Sequence, residues 1–241
     1  MNLEDVKRTI DQIKYLTDYV YLHVIGEPTL HPKFNEILDY LDLKEMKLQL
    51  VTNGTLLNRI NLNHSCLRKL SISLHSISNL DIKNQEYFEN INRLINSNNG
   101  FTLELRFYNL NNLDGTLKMY LDSLKNKFGL KDTNKRNSYK LKDNVYLLFE
   151  DLFDWPSIDT NQIFNSGTCK GAKEQLAILA NQDVTICCLD PNGYNKIGNL
   201  KEKSLNEILS SSKYKDIIDA FNNNKLTMEL CKRCSYMQRF H

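Results

Sequence analysis

Two kinds of apolar pattern alternate along the first 150 residues, and that alternation restricts the fold more than any other feature. Leu3, Val6, Ile10 and Ile13 recur at helical spacing behind Asn2, a residue suited to capping, with Asp5 in the first turn. The stretch "YLHVIGEPTLHPKF" then reads as the end of a buried strand over 19–24, a tight Gly26-Glu27-Pro28 corner, and a helix over 32–41. "MKLQLVTNG" is a strand that must turn at Asn53-Gly54, and "LRKLSISLHS" is a strand ending at residues 73–76. A helix is predicted over 84–97, a strand in "FTLELRFYNL", a helix over 114–128, a polar loop over 131–144, and a last strand in "VYLLFE". Short strands alternating with helices imply parallel strands with right-handed crossovers, in an α/β sheet that is doubly wound or an open or partial barrel. Ligands then belong at the C-terminal strand ends, where the polar corners fall.

Charge and hydropathy exclude several classes. With 31 Lys and Arg against 29 Asp and Glu in 241 residues, the net charge of +2 makes no nucleic-acid face and no polybasic membrane patch. No run of about 18 apolar residues could span a membrane. The charged, amphipathic start has no signal-peptide core, which predicts a cytoplasmic, reducing location. There, cysteines are expected as thiols or metal ligands rather than disulfides.

Five of the six cysteines lie in the last 73 residues: Cys169, Cys187, Cys188, Cys231 and Cys234. The domain reading is accordingly a barrel-like unit over 1–150, a linker over 151–168 and a cysteine-rich module over 169–241. The module holds a hairpin in "QLAILANQDVTICCLD" turning near Asn181-Gln182, two short helices between Ser204 and Phe221, and "CKRC". Cys231-x-x-Cys234, Cys169 and Cys187 make four thiolates, which suits a 4Fe–4S cluster or a tetrahedral zinc site, and spacing does not separate the two. Cys187 is expected on the hairpin's second strand, and strand alternation then points Cys187 and Cys188 to opposite faces, so only one of them should ligate, with Cys187 preferred. Cys66 stands apart and reads as a small apolar residue. His31 and His75 follow or end strand-end corners, where a local hydrogen bond is the expected role.

Taken together, "HVIGEPTLHP", "VTNGTLL" and "LSISLHS" resemble the second, third and fourth strand regions of radical S-adenosylmethionine (SAM) enzymes. The tail resembles the SPASM domain that many of them carry, through Cys169, "VTICCLD", Ile197-Gly198-Asn199, "SLNEIL" and Cys231/Cys234. The resemblance implies a partial (β/α)6 TIM-like barrel missing its first strand, with a small SPASM-type module. It implies that Gly26, Glu27 and Pro28 hold the SAM amino group. It places Asn53 near the pocket and Ser73 near the ribose, and aims Arg106 at the carboxylate. It also implies one auxiliary 4Fe–4S cluster on Cys169, Cys187, Cys231 and Cys234, and a peptide or protein substrate.

The family's C-x3-C-x2-C motif, which binds the cluster that delivers an electron to SAM, is absent from these residues. SAM is therefore expected as a cofactor only if that segment is supplied, with a flavodoxin or ferredoxin as electron donor. The expectation is an N-terminally truncated chain of a peptide- or protein-modifying enzyme, its catalytic residues unknown. The alternatives are a degenerate relative that binds a peptide or partner through an iron–sulfur or zinc module, or a second chain that brings the missing piece.

Overall fold

The computed structural model of the chain describes residues 1–79, 84–97, 100–130, 137–151 and 154–240. They form two compact units. One comprises Thr17–His23 and Glu27–Leu152; the other comprises Met1–Leu16, Val24–Gly26 and Phe153–His241.

The chain begins with α1 (Leu3–Ile13), capped as expected: the Asn2 side chain accepts the Asp5 N–H at 2.8 Å. This helix belongs to the unit of the C-terminal residues. Ile13 packs on that unit's core, and the Gln12 side chain accepts the Leu205 N–H at 2.8 Å.

The other unit runs β1 (Tyr19–Tyr21), α2 (Phe34–Leu43), β2 (Lys47–Thr52), β3 (Leu67–Ser73), α3 (Asn84–Ser97), β4 (Thr102–Tyr108), α4 (Gly115–Phe128), β5 (Ser138–Lys142) and β6 (Val145–Glu150). Its six strands make one sheet in the order β1-β2-β3-β4-β6-β5. Every pairing is parallel except the β5–β6 hairpin. This is the mixed α/β, largely parallel architecture that the alternating pattern calls for. Alternation along the strands gives the sheet two unlike faces. Leu48, Leu50, Leu70, Ile72, Leu103, Leu105, Phe107 and Leu147 are fully buried, as are Leu38, Leu41, Ile91, Ile95, Leu121 and Leu124 of the helices. Each such side chain contributes about 1.5–3 kcal/mol of burial free energy. Glu104, Arg106, Tyr108 and Glu150 lie on the other face, which is polar and only half buried.

Three local expectations are corrected. The first strand is three residues long and exposed at Tyr19 (49 %) and Tyr21 (54 %), not buried over six, because it is an edge strand paired only with β2. Between β2 and β3 the alternation lapses, and a 3-10 turn (Leu57–Arg59) stands where a helix would complete it. The stretch 131–144, read as a loop, contains β5; its residues 131–136 lie outside the described residues. β5 escapes notice because an edge strand alternates weakly. Tyr139 packs on Phe149, and Asn144 makes the turn at φ 59°.

In the second unit β7 (Ala177–Ile178), β8 (Asp183–Thr185) and β9 (Lys196–Asn199) form an antiparallel sheet, followed by α5 (Leu205–Ser210) and α6 (Ser212–Asn222). The hairpin turns at the expected place. Asn181 accepts the Asp183 N–H at 3.0 Å, and Gln182 takes φ 75°. Ser204 and Glu207 form a capping box at the start of α5. Val184, Ile186, Ile197, Leu205, Ile208, Ile217 and Phe221 make the core. No helix among the described residues is long and apolar enough to cross a membrane.

Candidate functional site

The second unit contains a partly open cavity of ≈ 250 Å³, and all five tail cysteines line it. Cys169 precedes the small sheet, Cys187 and Cys188 follow β8, and Cys231 and Cys234 flank a 3-10 turn that begins at Cys231. Cys187 and Cys188 do not share a strand. β8 ends at Thr185, whose hydroxyl donates to the Cys187 carbonyl at 3.0 Å and turns the chain. The strand argument that pointed these two side chains to opposite faces therefore does not apply, and both reach the cavity.

Several N–H groups are aimed at the sulfurs. The Gly171 N–H donates to Cys169 Sγ at 3.4 Å, the Leu189 N–H to Cys187 Sγ at 3.3 Å, and the Asn195 side-chain amide to Cys231 Sγ at 3.2 Å. The Gln175 amide reaches Cys187 Sγ at 3.8 Å.

Burial and the neighbouring cysteines oppose ionisation of Cys187, Cys231 and Cys234. Burial, then the neighbouring Cys234 and Cys169, push Cys231 up to about 12, against the Asn195 hydrogen bond. Cys234 is raised by burial in the same way. Cys187 and Cys188 share a hydrogen bond, which together with burial raises Cys187 and, against burial, lowers Cys188. Several thiols gathered in an apolar cavity become thiolates together only when a positively charged group sits among them. Among the described residues no three His, Cys, Asp or Glu side chains close on one metal-ion position. The tail cysteines line one shared apolar cavity, and cysteine sulfurs gathered in this way are the donor type that iron–sulfur clusters take. The residues present fit such a cluster.

A second constellation lies at the strand ends of the sheet unit. Glu27 is fully engaged there. One carboxylate oxygen accepts from the Thr29 N–H (3.1 Å), the Thr29 hydroxyl (2.6 Å) and the Thr52 hydroxyl (2.7 Å), and the other accepts the Asn53 N–H at 2.6 Å. The carboxylate thus builds the corner and ties it to the end of β2. Pro28 opens a 3-10 turn, and Gly26, in the 24–26 segment assigned to the other unit, takes φ 105°, a conformation natural to glycine. The Asn53 side chain accepts the Thr55 N–H at 2.9 Å, while its carbonyl accepts the Tyr87 hydroxyl at 2.7 Å. Ser73 and Arg106 are direct partners across β3 and β4.

Arg106 donates to Glu150 at 2.5 Å, stacks over Tyr108, and keeps a buried Nε without a hydrogen-bond partner. His75 meets the Tyr108 ring edge-on at 4.4 Å. Burial and then Arg106 lower the pKa of both His23 and His75, and each has a buried Nδ1 without a hydrogen-bond partner. His31 makes the local bond expected of it, accepting the Lys33 N–H at 3.1 Å. Glu150 carried no motif in the sequence and is marked only by its place at the end of β6, whereas His23 opens the quoted "HVIGEPTLHP" without a role of its own there.

Comparison with known proteins matches residues 169–235 to SPASM, the iron–sulfur cluster-binding domain. The C-terminal module is a SPASM domain. Solved structures similar to the chain include BtrN in complex with AdoMet and 2-DOIA (15% identity, TM-score 0.52), spanning 98% of this chain and 80% of that one. Streptococcus suis SuiB bound to S-adenosylmethionine is similar over 96% of this chain and 64% of its own, at 16% identity and TM-score 0.52. anSMEcpe with bound AdoMet and Kp18Cys peptide is similar over 98% and 78%, at 15% identity and TM-score 0.53. The fold is therefore shared with these AdoMet-bound structures, a partial barrel, and residues 169–235 match the SPASM domain. No curated protein sequence matches the chain.

Proposed function

We propose that the chain is the barrel and SPASM portion of a radical SAM enzyme that modifies a peptide or protein, with a 4Fe–4S cluster in the SPASM cavity held by Cys169, Cys187, Cys231 and Cys234. The observation that carries this reading is the convergence of the tail cysteines on one cavity, with N–H donors aimed at three of their sulfurs. Cys169 is the hub of this set, close enough to affect the ionisation of Cys187, Cys231 and Cys234. Such a cluster supplies one-electron chemistry and a positive core that holds the thiols ionised. The polar strand-end corners support a SAM site: Glu27 fixes the Gly26-Glu27-Pro28 backbone for an ammonium, and Glu150 presents Arg106 to a carboxylate. Ser73, beside Arg106 in register, and Asn53 complete the set. A peptide substrate is supported by SuiB and anSMEcpe, whose structures hold a precursor peptide and the Kp18Cys peptide. Cleavage of SAM would draw on a supplied C-x3-C-x2-C segment and an external electron donor.

The test is anaerobic reconstitution of the chain. About four irons and four sulfides per chain are expected, falling sharply in Cys231→Ala. Tight zinc in place of iron and sulfide, or an intact cluster in Cys231→Ala, would overturn the assignment. Fusion of a C-x3-C-x2-C segment should then yield 5′-deoxyadenosine from SAM under reducing conditions. If the fused, fully loaded chain makes none, the catalytic half of the reading fails while the cluster half stands.

A further inference from the structure

The segment 187–195 begins at one proposed cluster ligand and ends in a side chain that grips another. The Asp190 N–H donates to the Cys187 carbonyl at 3.3 Å, and the Asp190 carboxylate, fully buried, accepts the Tyr194 N–H at 2.9 Å and the Asn195 N–H at 2.7 Å. These bonds lock the turn and hold the Asn195 backbone, itself 1 % exposed, at the cavity wall. From there the Asn195 amide spans two parts of the 230s loop. Its oxygen accepts the Leu230 N–H at 3.4 Å, and its nitrogen donates to Cys231 Sγ at 3.2 Å.

The other close donors to sulfur, at Gly171 and Leu189, are backbone groups that no side-chain change can withdraw. Gln175 is the second side-chain amide, but it is exposed and reaches its sulfur only at 3.8 Å. Among the described residues Asn195 is thus the buried side chain whose hydrogen bond goes to a cysteine sulfur of this cavity; the buried Thr185 hydroxyl donates to a cysteine carbonyl instead.

We propose that Asn195 tunes the SPASM cluster: oriented by Asp190, it raises the cluster's reduction potential through its N–H···S bond to Cys231. This deepens the cluster reading and rests on it. The direction follows from electrostatics. A reduced cluster carries one more negative charge, part of it on the thiolate sulfurs. A donor aimed at such a sulfur stabilises the reduced form more than the oxidised one, and does so strongly where water is excluded. Hydrogen bonds to the sulfurs are among the factors that set iron–sulfur potentials.

The experiment compares the reconstituted full chain with Asn195→Leu, Asn195→Ser and Gln175→Leu. Iron and sulfide are measured first, and the potential is then titrated with the cluster's visible absorption and electron paramagnetic resonance as readouts. The expected result is wild-type iron and sulfide in all variants. Both Asn195 variants should titrate at a clearly lower potential than wild type, and Gln175→Leu should move far less. Loaded Asn195 variants at the wild-type potential, or an equal shift in Gln175→Leu, would overturn the proposal. Folded Asn195 variants that fail to load while Gln175→Leu loads would also overturn it, since Asn195 would then build the site rather than tune it. A wild-type chain that takes up no iron and sulfide defeats the cluster reading itself, which the first measurement shows separately.

Discussion

Asp42 shows how one side chain can hold two elements together. It lies in the last turn of α2, and its carboxylate accepts from the His64 ring Nδ1 at 2.7 Å, the Ser65 hydroxyl at 2.9 Å and the Cys66 N–H at 2.5 Å, all on the approach to β3. Burial works against its charge, but these bonds prevail and hold its pKa at about 2 rather than 3.8. Because the folded pKa is depressed, the stabilisation is complete above the unfolded value, near pH 4, and is lost as the pH falls towards 2. The side chain is 28% exposed, so water screens part of the effect, and Asp42→Ala should cost about 1–2 kcal/mol at pH 7. Urea unfolding of both proteins at pH 7 and at pH 2.5 checks this. The gap should shrink at the lower pH, and a gap that persists there would refute the charge argument. Nothing in the sequence announced this role. Asp42 reads as an ordinary helix-surface acid, and its partners lie more than 20 positions away. The same holds for Asn195 and Glu150. By contrast, Gly26-Glu27-Pro28 and Cys231-x-x-Cys234 are visible because backbone geometry or ligand spacing restricts which residues can stand there.

Elements were legible where their periodicity is strong and their caps are local. α3 occupies the predicted 84–97, and α4 starts one residue after 114, where Asp114 caps it. β1 and β5 were misjudged because both are edge strands, and an edge strand's pattern is set by solvent rather than by a core. α1 was recognised as a helix, but the partners that seat it are remote in sequence: Gln12 accepts from Leu205, Thr9 donates to Gln182, and Ile13 packs on the core of that unit. The packing of β9 against α5 rests on a single missing side chain. A Cβ on Gly198 would lie 2.6 Å from Ile208 Cγ1 and 2.8 Å from Cδ1, and Ile208 is β-branched and buried. Gly198→Ala should therefore cost about 1–3 kcal/mol through overpacking. A double-mutant cycle with Ile208→Ala separates this from any effect on the unfolded chain. The two losses should be clearly less than additive; strict additivity would show that the contact with Ile208 is not the cause.

At the scale of the molecule, the two units depend on their cores differently, and that difference is measurable. The sheet unit is closed by aliphatic and aromatic packing. Its one cysteine, Cys66, is buried beneath α2, where its thiol donates to the Leu38 carbonyl at 3.8 Å, and burial with Asp42 pushes it up to about 12. That unit holds no proposed cluster ligand. In the other unit Cys169, Cys187 and Cys231 pack directly against the hydrophobic core, so the proposed ligands are also core side chains. Binding energy at such a site is folding energy for the residues around it. Removing the cluster by chelation under air-free conditions should therefore raise amide hydrogen exchange over about 169–190 and 225–237. β2, β3, β4 and β6 should keep their protection, because local opening follows the contacts that are lost. Hydrogen exchange with mass-spectrometric readout on cluster-loaded and cluster-free protein reports both regions in one experiment. Equal loss of protection in the sheet strands would mean that the two units open as one, and the SPASM cavity would then be a keystone of the whole chain rather than of its own unit.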